Sequence, residues 1–374
     1  MKTKLLILLG ITLAVLSAFA VAGNLLTPPW SAGNVSPENT NLSDEKPEPP
    51  LVITKDLNVL KGRGLFYAEN GSLHKEEISP DGTLATTSKI VATGSIRLVD
   101  QNDDAVLFVK SLSSGEYSSN NELWLLDKIT GLSQKIINRV AVGGEGRISP
   151  QGNLIAVVTY DNELLLLARD GDGLVTQIGV HGISPMFSPD GKKIAYIKLK
   201  DEKINLGDED MFQGVAIYDL VTGEDSIASK AGTEGKEYRI TGWSPDGKRI
   251  YFPSSNDAIW SVALDGNGKR QETNNGIESP FVSTYLSQLL FADDGTTAFG
   301  EADGVWAFKL GNDGEFLGAK KVVEGVDGNI SMLSWLEKGK SINFRPYGGV
   351  INPATGKMFP KAFTTVYRVS DLKQ

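Results

Sequence analysis

Histidine and cysteine are the residues that most often carry nucleophilic or metal chemistry, and the chain has few of them. It contains only His74 and His181 and no cysteine in 374 residues. Thiolate nucleophiles, disulfides and His-rich metal centres are therefore excluded. A catalytic serine would need a histidine and an acid beside it, and no Gly-x-Ser-x-Gly elbow is present. We predict no catalytic residues.

Two Asp-Gly segments are the candidates for metal binding. Asp170–Gly173 and Asp265–Gly268 resemble calcium loops, but neither continues to the sixth-position glycine and twelfth-position acid of an EF-hand. Asp-Gly pairs are also typical of hairpin turns. We predict turns here and no bound cofactor, and calcium held by carboxylates in a central channel is the alternative left open.

Five tryptophans are the candidates for ligand stacking. They recur at equivalent strand positions or beside a repeated turn: Trp124, Trp243, Trp260, Trp306 and Trp335. Recurrence with a structural unit predicts that they form core between neighbouring units. A carbohydrate-stacking platform is the alternative, and it requires exposed rings.

The element that must position any site is a repeated turn and strand. Phe187-Ser188-Pro189-Asp190-Gly191-Lys192-Lys193-Ile194-Ala195-Tyr196 has a close copy at 243–252, another at 148–157, and degraded copies around 100, 292 and 336. Pro, Asp and Gly in this order predict a type I turn closed by a left-handed glycine, which is a three-residue hairpin connection. The apolar run after the turn predicts a short strand.

The spacing of the copies predicts a β-propeller. Successive turns lie 39 to 56 residues apart, the length of a four-stranded blade. The residue six positions after each turn's first residue is always apolar: Val106, Ile155, Ile194, Ile250, Ala298 and Ile342. Many strands are apolar on both faces, as expected when each blade packs between two neighbours. We predict an all-β propeller of four-stranded antiparallel blades, with six units over residues 95–363 and seven blades as the alternative.

The repeated Ser-Pro-Asp-Gly-Lys-Lys-Ile-Ala-Tyr, preceded by Phe or Trp, resembles the WD-like β-propeller repeat of the TolB type. The resemblance covers residues 95–345. It implies a propeller, often six-bladed, that is usually extracytoplasmic in bacteria and usually a binding scaffold. The sequence departs from TolB in having no recognisable N-terminal α/β domain, so TolB's envelope partners do not carry over.

Sequence composition divides the chain into three regions. Residues 1–22 are predicted to be a signal peptide or membrane anchor, because Lys2 and Lys4 precede an apolar run at residues 5–22. Its length suits a transmembrane helix, and small residues near its end suit cleavage, so both alternatives remain. Residues 23–50 are a linker rich in Pro, Asn and Ser, predicted to be disordered. Residues 51–374 are the propeller domain. We expect its first part to supply extra strands that help close the ring, together with the C-terminal strand near residues 364–369.

Charge and loop length predict the kind of partner. The net charge of −9, with two lysines and no acid in the first 22 residues, leaves −11 on the remainder and argues against nucleic acid. Long insertions at 111–121 and 198–213 fall between second and third strands, on one end of the blades. Because binding residues favour long loops on a rigid scaffold, we predict a protein partner on this face.

We therefore expect a monomeric, non-catalytic, extracytoplasmic protein-binding scaffold at the cell envelope, either secreted or anchored in the membrane through residues 5–22 alone. One alternative is a propeller enzyme of lyase, lactonase or cyclase type that uses a channel metal. The other alternative is a glycan-binding propeller.

Overall fold

The computed structural model describes residues 65–78, 84–112, 121–141, 145–171, 173–179, 181–200, 211–231, 239–253, 258–273, 288–301, 304–324, 330–337, 341–346, 350–351, 358–359 and 365–368. Within these ranges every named element is a β-strand. The all-β prediction is confirmed. The predicted leader (1–22) and linker (23–50) lie outside the described residues. No described segment forms a helix with the length and apolarity needed to cross a bilayer.

An N-terminal sheet precedes the repeats. It contains β1 (Leu65–Glu69), β2 (Ser72–Ile78) and β3 (Leu84–Thr93), hydrogen-bonded in that order. Asn70 and Gly71 join β1 to β2 with φ angles of 48° and 71°. Two consecutive positive φ angles are the mark of a type I′ turn, which an Asn-Gly pair between two strands favours.

Six further sheets follow, which we number as blades. Blade 1 contains β4 (Ile96–Gln101), β5 (Ala105–Ser111), β6 (Asn121–Asp127) and β7 (Ser133–Asn138). Blade 2 contains β8 (Gly146–Ile148), β9 (Leu154–Val158), β10 (Leu164–Ala168) and β11 (Leu174–Gly179). Blade 3 contains β12 (Gly182–Phe187), β13 (Lys193–Leu199), β14 (Phe212–Asp219) and β15 (Asp225–Lys230).

The second half of the chain continues the pattern. Blade 4 contains β16 (Gly242–Trp243), β17 (Arg249–Pro253), β18 (Ile259–Ala263) and β19 (Arg270–Gln271). Blade 5 contains β20 (Leu289–Phe291), β21 (Thr297–Glu301), β22 (Gly304–Leu310) and β23 (Phe316–Glu324). Blade 6 contains β24 (Ile330–Glu337), β25 (Ser341–Pro346) and β28 (Thr365–Arg368), and the hairpin of β26 (Val350–Ile351) and β27 (Met358–Phe359) forms a separate small sheet.

These blades confirm the predicted propeller of six units. Blades 1 to 5 each have four antiparallel strands paired in sequence order, and blade 6 has three among the described residues. The alternative of seven blades would count the N-terminal sheet as a blade. The C-terminal strand β28 pairs with β25 rather than with β1–β3, so it completes blade 6 and does not join the N-terminal sheet.

The strand order separates the two ends of each blade. In a consecutively paired antiparallel sheet, the first–second and third–fourth turns lie at one end, which we call the turn face. The second–third connections and the links between blades lie at the other end, which we call the loop face.

The repeated turn has the geometry predicted from Ser-Pro-Asp-Gly. In blade 3 the Gly191 N–H donates to the Ser188 carbonyl at 2.8 Å, and Gly191 has a φ of 68°. The Ser188 hydroxyl donates to Asp190 Oδ1 at 2.7 Å and accepts from the Lys193 N–H at 3.0 Å. Blade 4 repeats this arrangement, so the motif closes each hairpin by local hydrogen bonds.

The core lies between blades. The six residues predicted to be apolar six positions after each turn are all fully buried: Val106, Ile155, Ile194, Ile250, Ala298 and Ile342. Each consecutive pair of blades shares one hydrophobic cluster, and the N-terminal sheet shares another with blade 1. Burial on both faces explains why the strands are apolar without alternation.

Candidate functional site

The first strands of blades 1, 2 and 3 come together. Strand β4 lies beside β8, and β8 lies beside β12, which is the arrangement expected of strands that line a propeller channel. Each first strand begins at the loop face, where the chain enters from the preceding blade. Polar side chains near these beginnings therefore gather at one mouth of the channel.

Side chains of one first strand hold the backbone of the next. The Glu145 carboxylate, just before β8, accepts a hydrogen bond from the Ser184 N–H on β12. The Ser184 hydroxyl accepts one from the Ile240 N–H, just before β16, at 2.9 Å. Glu145, Ser184 and Ile240 each stand four residues before the first residue of their blade's turn, so one repeat position supplies this relay across blades 2, 3 and 4.

Ser184, which links Glu145 to Ile240, has an unusual backbone conformation. Its φ is 55°, in the left-handed region that non-glycine residues enter rarely. It lies where the register between β12 and β13 shifts, between Ile183 and Met186. This irregularity points the Ser184 N–H at Glu145 instead of at a partner strand, which is the kind of strain that often marks functional positions.

Three arginines surround Glu145. They come from three blades: Arg97 on β4, Arg147 on β8, and Arg239 just before β16. We call Arg97, Glu145, Arg147, Ser184 and Arg239 the channel-mouth cluster. The attraction of all three guanidinium groups acts to lower the pKa of Glu145.

Burial nevertheless has the largest effect on the pKa of Glu145. Desolvation raises its pKa above the ordinary value, because the buried carboxylate loses more hydration than the Ser184 hydrogen bond and the arginines restore. Near the turn-face end of β4, burial also raises the pKa of Asp100, whose Oδ2 accepts from the Ile148 N–H at 2.8 Å. Desolvation lowers the pKa of Arg97.

Two of the arginines have unused donors. Arg147 donates from Nη1 to the Gly146 carbonyl at 2.8 Å, but its buried Nε has no hydrogen-bond partner. Arg239 makes no hydrogen bond or ion pair with the part of the chain that the structure describes. Within that same part, no arginine lies within 4.0 Å ion-pair distance of Glu145. The cluster thus presents guanidinium groups that its own carboxylate does not satisfy.

The two histidines lie elsewhere. The ring of His74 stacks on Tyr67 with ring centroids 5.1 Å apart, and its Nε2 lies 3.3 Å from the Glu69 carbonyl oxygen. His181 precedes β12 and is half-buried, and its Nδ1 is buried without a hydrogen-bond partner. The described structure places neither histidine in a serine–histidine–acid arrangement.

The Asp-Gly segments form turns between third and fourth strands. In blade 4, Asp265 Oδ1 accepts from the Asn267 N–H at 2.9 Å, and Gly266 and Gly268 have positive φ angles. In blade 2, the Gly171 N–H donates to the Ala168 carbonyl at 3.2 Å. In the described ranges no group of three or more metal-ligating side chains is present.

The tryptophans lie in the packing between blades. Trp243 and Trp306 are buried, and Trp124, Trp260 and Trp335 are partly buried against hydrophobic clusters. Trp243 of blade 4 also donates from Nε1 to the Met186 carbonyl of blade 3 at 3.0 Å. The tryptophans therefore serve as core between blades, as the repeat predicts.

Long connections gather at the loop face. Residues 112–120 join β5 to β6 and residues 200–211 join β13 to β14, so both insertions predicted at 111–121 and 198–213 are second–third connections. Their central parts lie outside the described residues. The sequence interpretation missed other long connections on the same face: residues 231–241 between blades 3 and 4, 272–288 between blades 4 and 5, and 347–364 between β25 and β28.

Sequence reasoning also missed the channel-mouth cluster. Its residues stand outside the turn motif, and 94 positions of sequence separate Glu145 from Arg239. A signal does exist, since Glu145 and Ser184 put polar side chains at the same repeat position, four residues before the turn.

Comparisons with known proteins identify the fold class. No protein-family model matches the sequence, and no match was found among curated proteins. Among solved structures, tricorn protease aligns with a TM-score of 0.51 and 12% identity, covering 84% of this chain and 33% of that one. A protein assigned as TolB from Agrobacterium tumefaciens aligns with a TM-score of 0.42 and 16% identity, covering 75% of this chain and 94% of that one.

The likeness to tricorn protease and the blade topology show that the chain has a β-propeller fold, as the repeats predict. The chain spans one third of the length of the tricorn protease chain it matches.

Proposed function

We propose that this chain is a non-catalytic propeller that binds a protein partner through its loop face. One observation carries the proposal: the described turns of the turn face are tight, whereas the long connections 112–120, 200–211 and 272–288 all lie on the loop face. Rigid scaffolds place recognition on such loops. The unused arginine donors at the channel mouth lie on the same face.

We further propose an extracytoplasmic location at the cell envelope. Its support is the N-terminal sequence, in which Lys2 and Lys4 precede the apolar run at residues 5–22. An alkaline phosphatase reporter fused after residue 50 tests this part, because that enzyme is active only after export to an oxidising compartment. An inactive fusion that is stably expressed would contradict it.

Site-directed photo-crosslinking tests which face contacts a partner. A photo-reactive amino acid replaces Leu112, at the start of a loop-face connection, and in separate variants Ile129 or Val221, in turns of the turn face. Leu112 is 57% exposed, whereas Ile129 and Val221 are 82% and 76% exposed. If exposure alone determined crosslinking, the turn-face positions would react more.

The expected result is a discrete protein adduct from Leu112 and none from Ile129 or Val221, in cells expressing the full chain. Adducts from the turn-face positions alone would contradict the proposed face. No observation among the described residues favours the metal-dependent enzyme or the glycan-binding propeller, and neither is proposed.

A further inference from the structure

The charge at the channel mouth defines what kind of ligand fits there. Three guanidinium groups, Arg97, Arg147 and Arg239, act there on one carboxylate, Glu145. With every group ionised, the local sum is two positive charges, in a chain whose net charge is −9. This excess of positive charge favours an anionic ligand.

The hydrogen-bonding capacity leads to the same class of ligand. A guanidinium group has donors in a planar fork that matches a carboxylate. Leaving a buried donor such as Arg147 Nε without an acceptor costs free energy, and an incoming oxygen would recover it. Arg239 also acts on Glu145, and its donors are unused by described residues.

We propose that the channel-mouth cluster binds a carboxylate group of the partner polypeptide, with Arg147 and Arg239 as the donors. This inference rests on the proposed protein-binding function and names the chemistry of the segment recognised. The carboxylate belongs either to an acidic side chain or to a chain end, since both present the same two oxygens. Glu145 competes for the same arginines when it is ionised.

That competition makes binding depend on pH. The groups that act on Glu145 are Arg97 from β4, Arg147 from β8 and Arg239 from the segment before β16, while β12 contributes the Ser184 N–H. Because burial raises the pKa of Glu145, its protonation as the pH falls removes the competitor and strengthens carboxylate binding. The acidic probe loses its own charge at lower pH, which acts in the opposite direction, so the two effects can be separated.

A direct titration uses the full-length chain and fluorescein-labelled hexaglutamate with an amidated C-terminus, followed by fluorescence polarisation. We expect Arg147→Gln and Arg239→Gln each to weaken binding at least tenfold. The matched control is Arg169→Gln, which removes the same charge at the turn face, where Arg169 pairs with Asp127 at 3.3 Å. The control should bind as the wild type does. Circular dichroism and thermal melting verify folding, and Arg239→Gln alone is sufficient if Arg147→Gln does not fold.

Glu145→Gln adds a readout that a purely structural role would not move. This variant should bind hexaglutamate more tightly than the wild type at pH 8, and it should lose the strengthening that the wild type shows as the pH falls. Binding that weakens in this variant, or that keeps the wild-type pH dependence, would overturn the inference.

Further arms identify the source of the carboxylate. A glycine–serine hexapeptide with a free C-terminus that competes better than its amidated form would assign the site to a chain end, and competition by amidated hexaglutamate alone would assign it to side chains. The proposal would be overturned if inorganic phosphate competed at lower concentration than acetate. It would also be overturned if hexaglutamate did not bind, or if it bound all the arginine variants equally. The crosslinking of Leu112 would be unaffected by these failures, so the two proposals fall separately.

Discussion

Glu272 joins blade 4 to blade 5 through a buried hydrogen-bond network, and removing it should strongly destabilise the protein. Its side chain is only 2% exposed. One carboxylate oxygen accepts from the Ser261 hydroxyl and from Arg270 Nε at 2.7 Å, and the other accepts from the Phe316 N–H of blade 5 at 3.0 Å. Arg270 continues the network to Asp313 at 2.6 Å.

The size of the effect follows from what each substitution leaves behind. Glu272→Ala leaves the buried Phe316 N–H without an acceptor and Arg270 without its buried partner, so the free energy of unfolding should fall by about 3–5 kcal/mol. Glu272→Gln keeps the shape and one acceptor but loses the charge, and should cost about 1–3 kcal/mol. The control Asp161→Asn breaks the Arg139–Asp161 pair, whose side chains are 61% and 57% exposed, and should cost less than about 1 kcal/mol.

Urea unfolding followed by tryptophan fluorescence measures these differences, because several tryptophans lie between blades. The order expected for the urea midpoint is wild type and Asp161→Asn highest, Glu272→Gln next and Glu272→Ala lowest. A midpoint for Glu272→Ala that matches Asp161→Asn would refute the assignment of Glu272 as a buried tie between blades.

Three further predictions concern single positions. Gly247→Ala should lower the free energy of unfolding by about 1–2 kcal/mol because Gly247 has a φ of 69°. Steric contact adds nothing, since the nearest atom to an added Cβ lies at 3.8 Å. The control Gly318→Ala, where no atom lies within 4 Å of an added Cβ, should have little effect in the same urea assay. The hydrogen bond from Lys193 and the N–H groups of the turn lower the pKa of Asp219 to about 2. Ionised Asp219 therefore stabilises the fold above pH 4, and this contribution is lost as the pH falls toward 2. Asp219→Asn should flatten this part of the stability–pH profile. Glu145→Gln should melt at a higher temperature than the wild type at pH 8, and the difference should vanish near pH 4, because a raised folded-state pKa costs stability only where the group is ionised.

The sequence was sufficient for the parts of the fold that local interactions decide. The turn Ser188–Gly191 closes by hydrogen bonds within six residues, so its type could be predicted from Pro, Asp and Gly. The burial of Ile194 and its equivalents follows from the same register, because the turn fixes which residue of the next strand comes first.

The channel-mouth cluster could not be predicted, because it depends on how consecutive blades stack. Arg97, Glu145 and Arg239 stand in three blades, and only the stacking of blades brings their side chains near one another. The left-handed φ of Ser184 could not be predicted, although Pro185 does signal an irregularity in β12, because proline cannot donate a hydrogen bond to a neighbouring strand. The pairing of β28 with β25 is also set by tertiary contacts.

Hydrogen–deuterium exchange on the full chain, alone and in complex with the partner crosslinked at Leu112, tests most directly which end of the propeller is the contact surface. Slower exchange in the complex at 111–121, at 198–213 and at the segments entering β8 and β16 is the result we predict. Protection confined to the turns at 188–191 and 244–247, with the loop face unchanged, would contradict it.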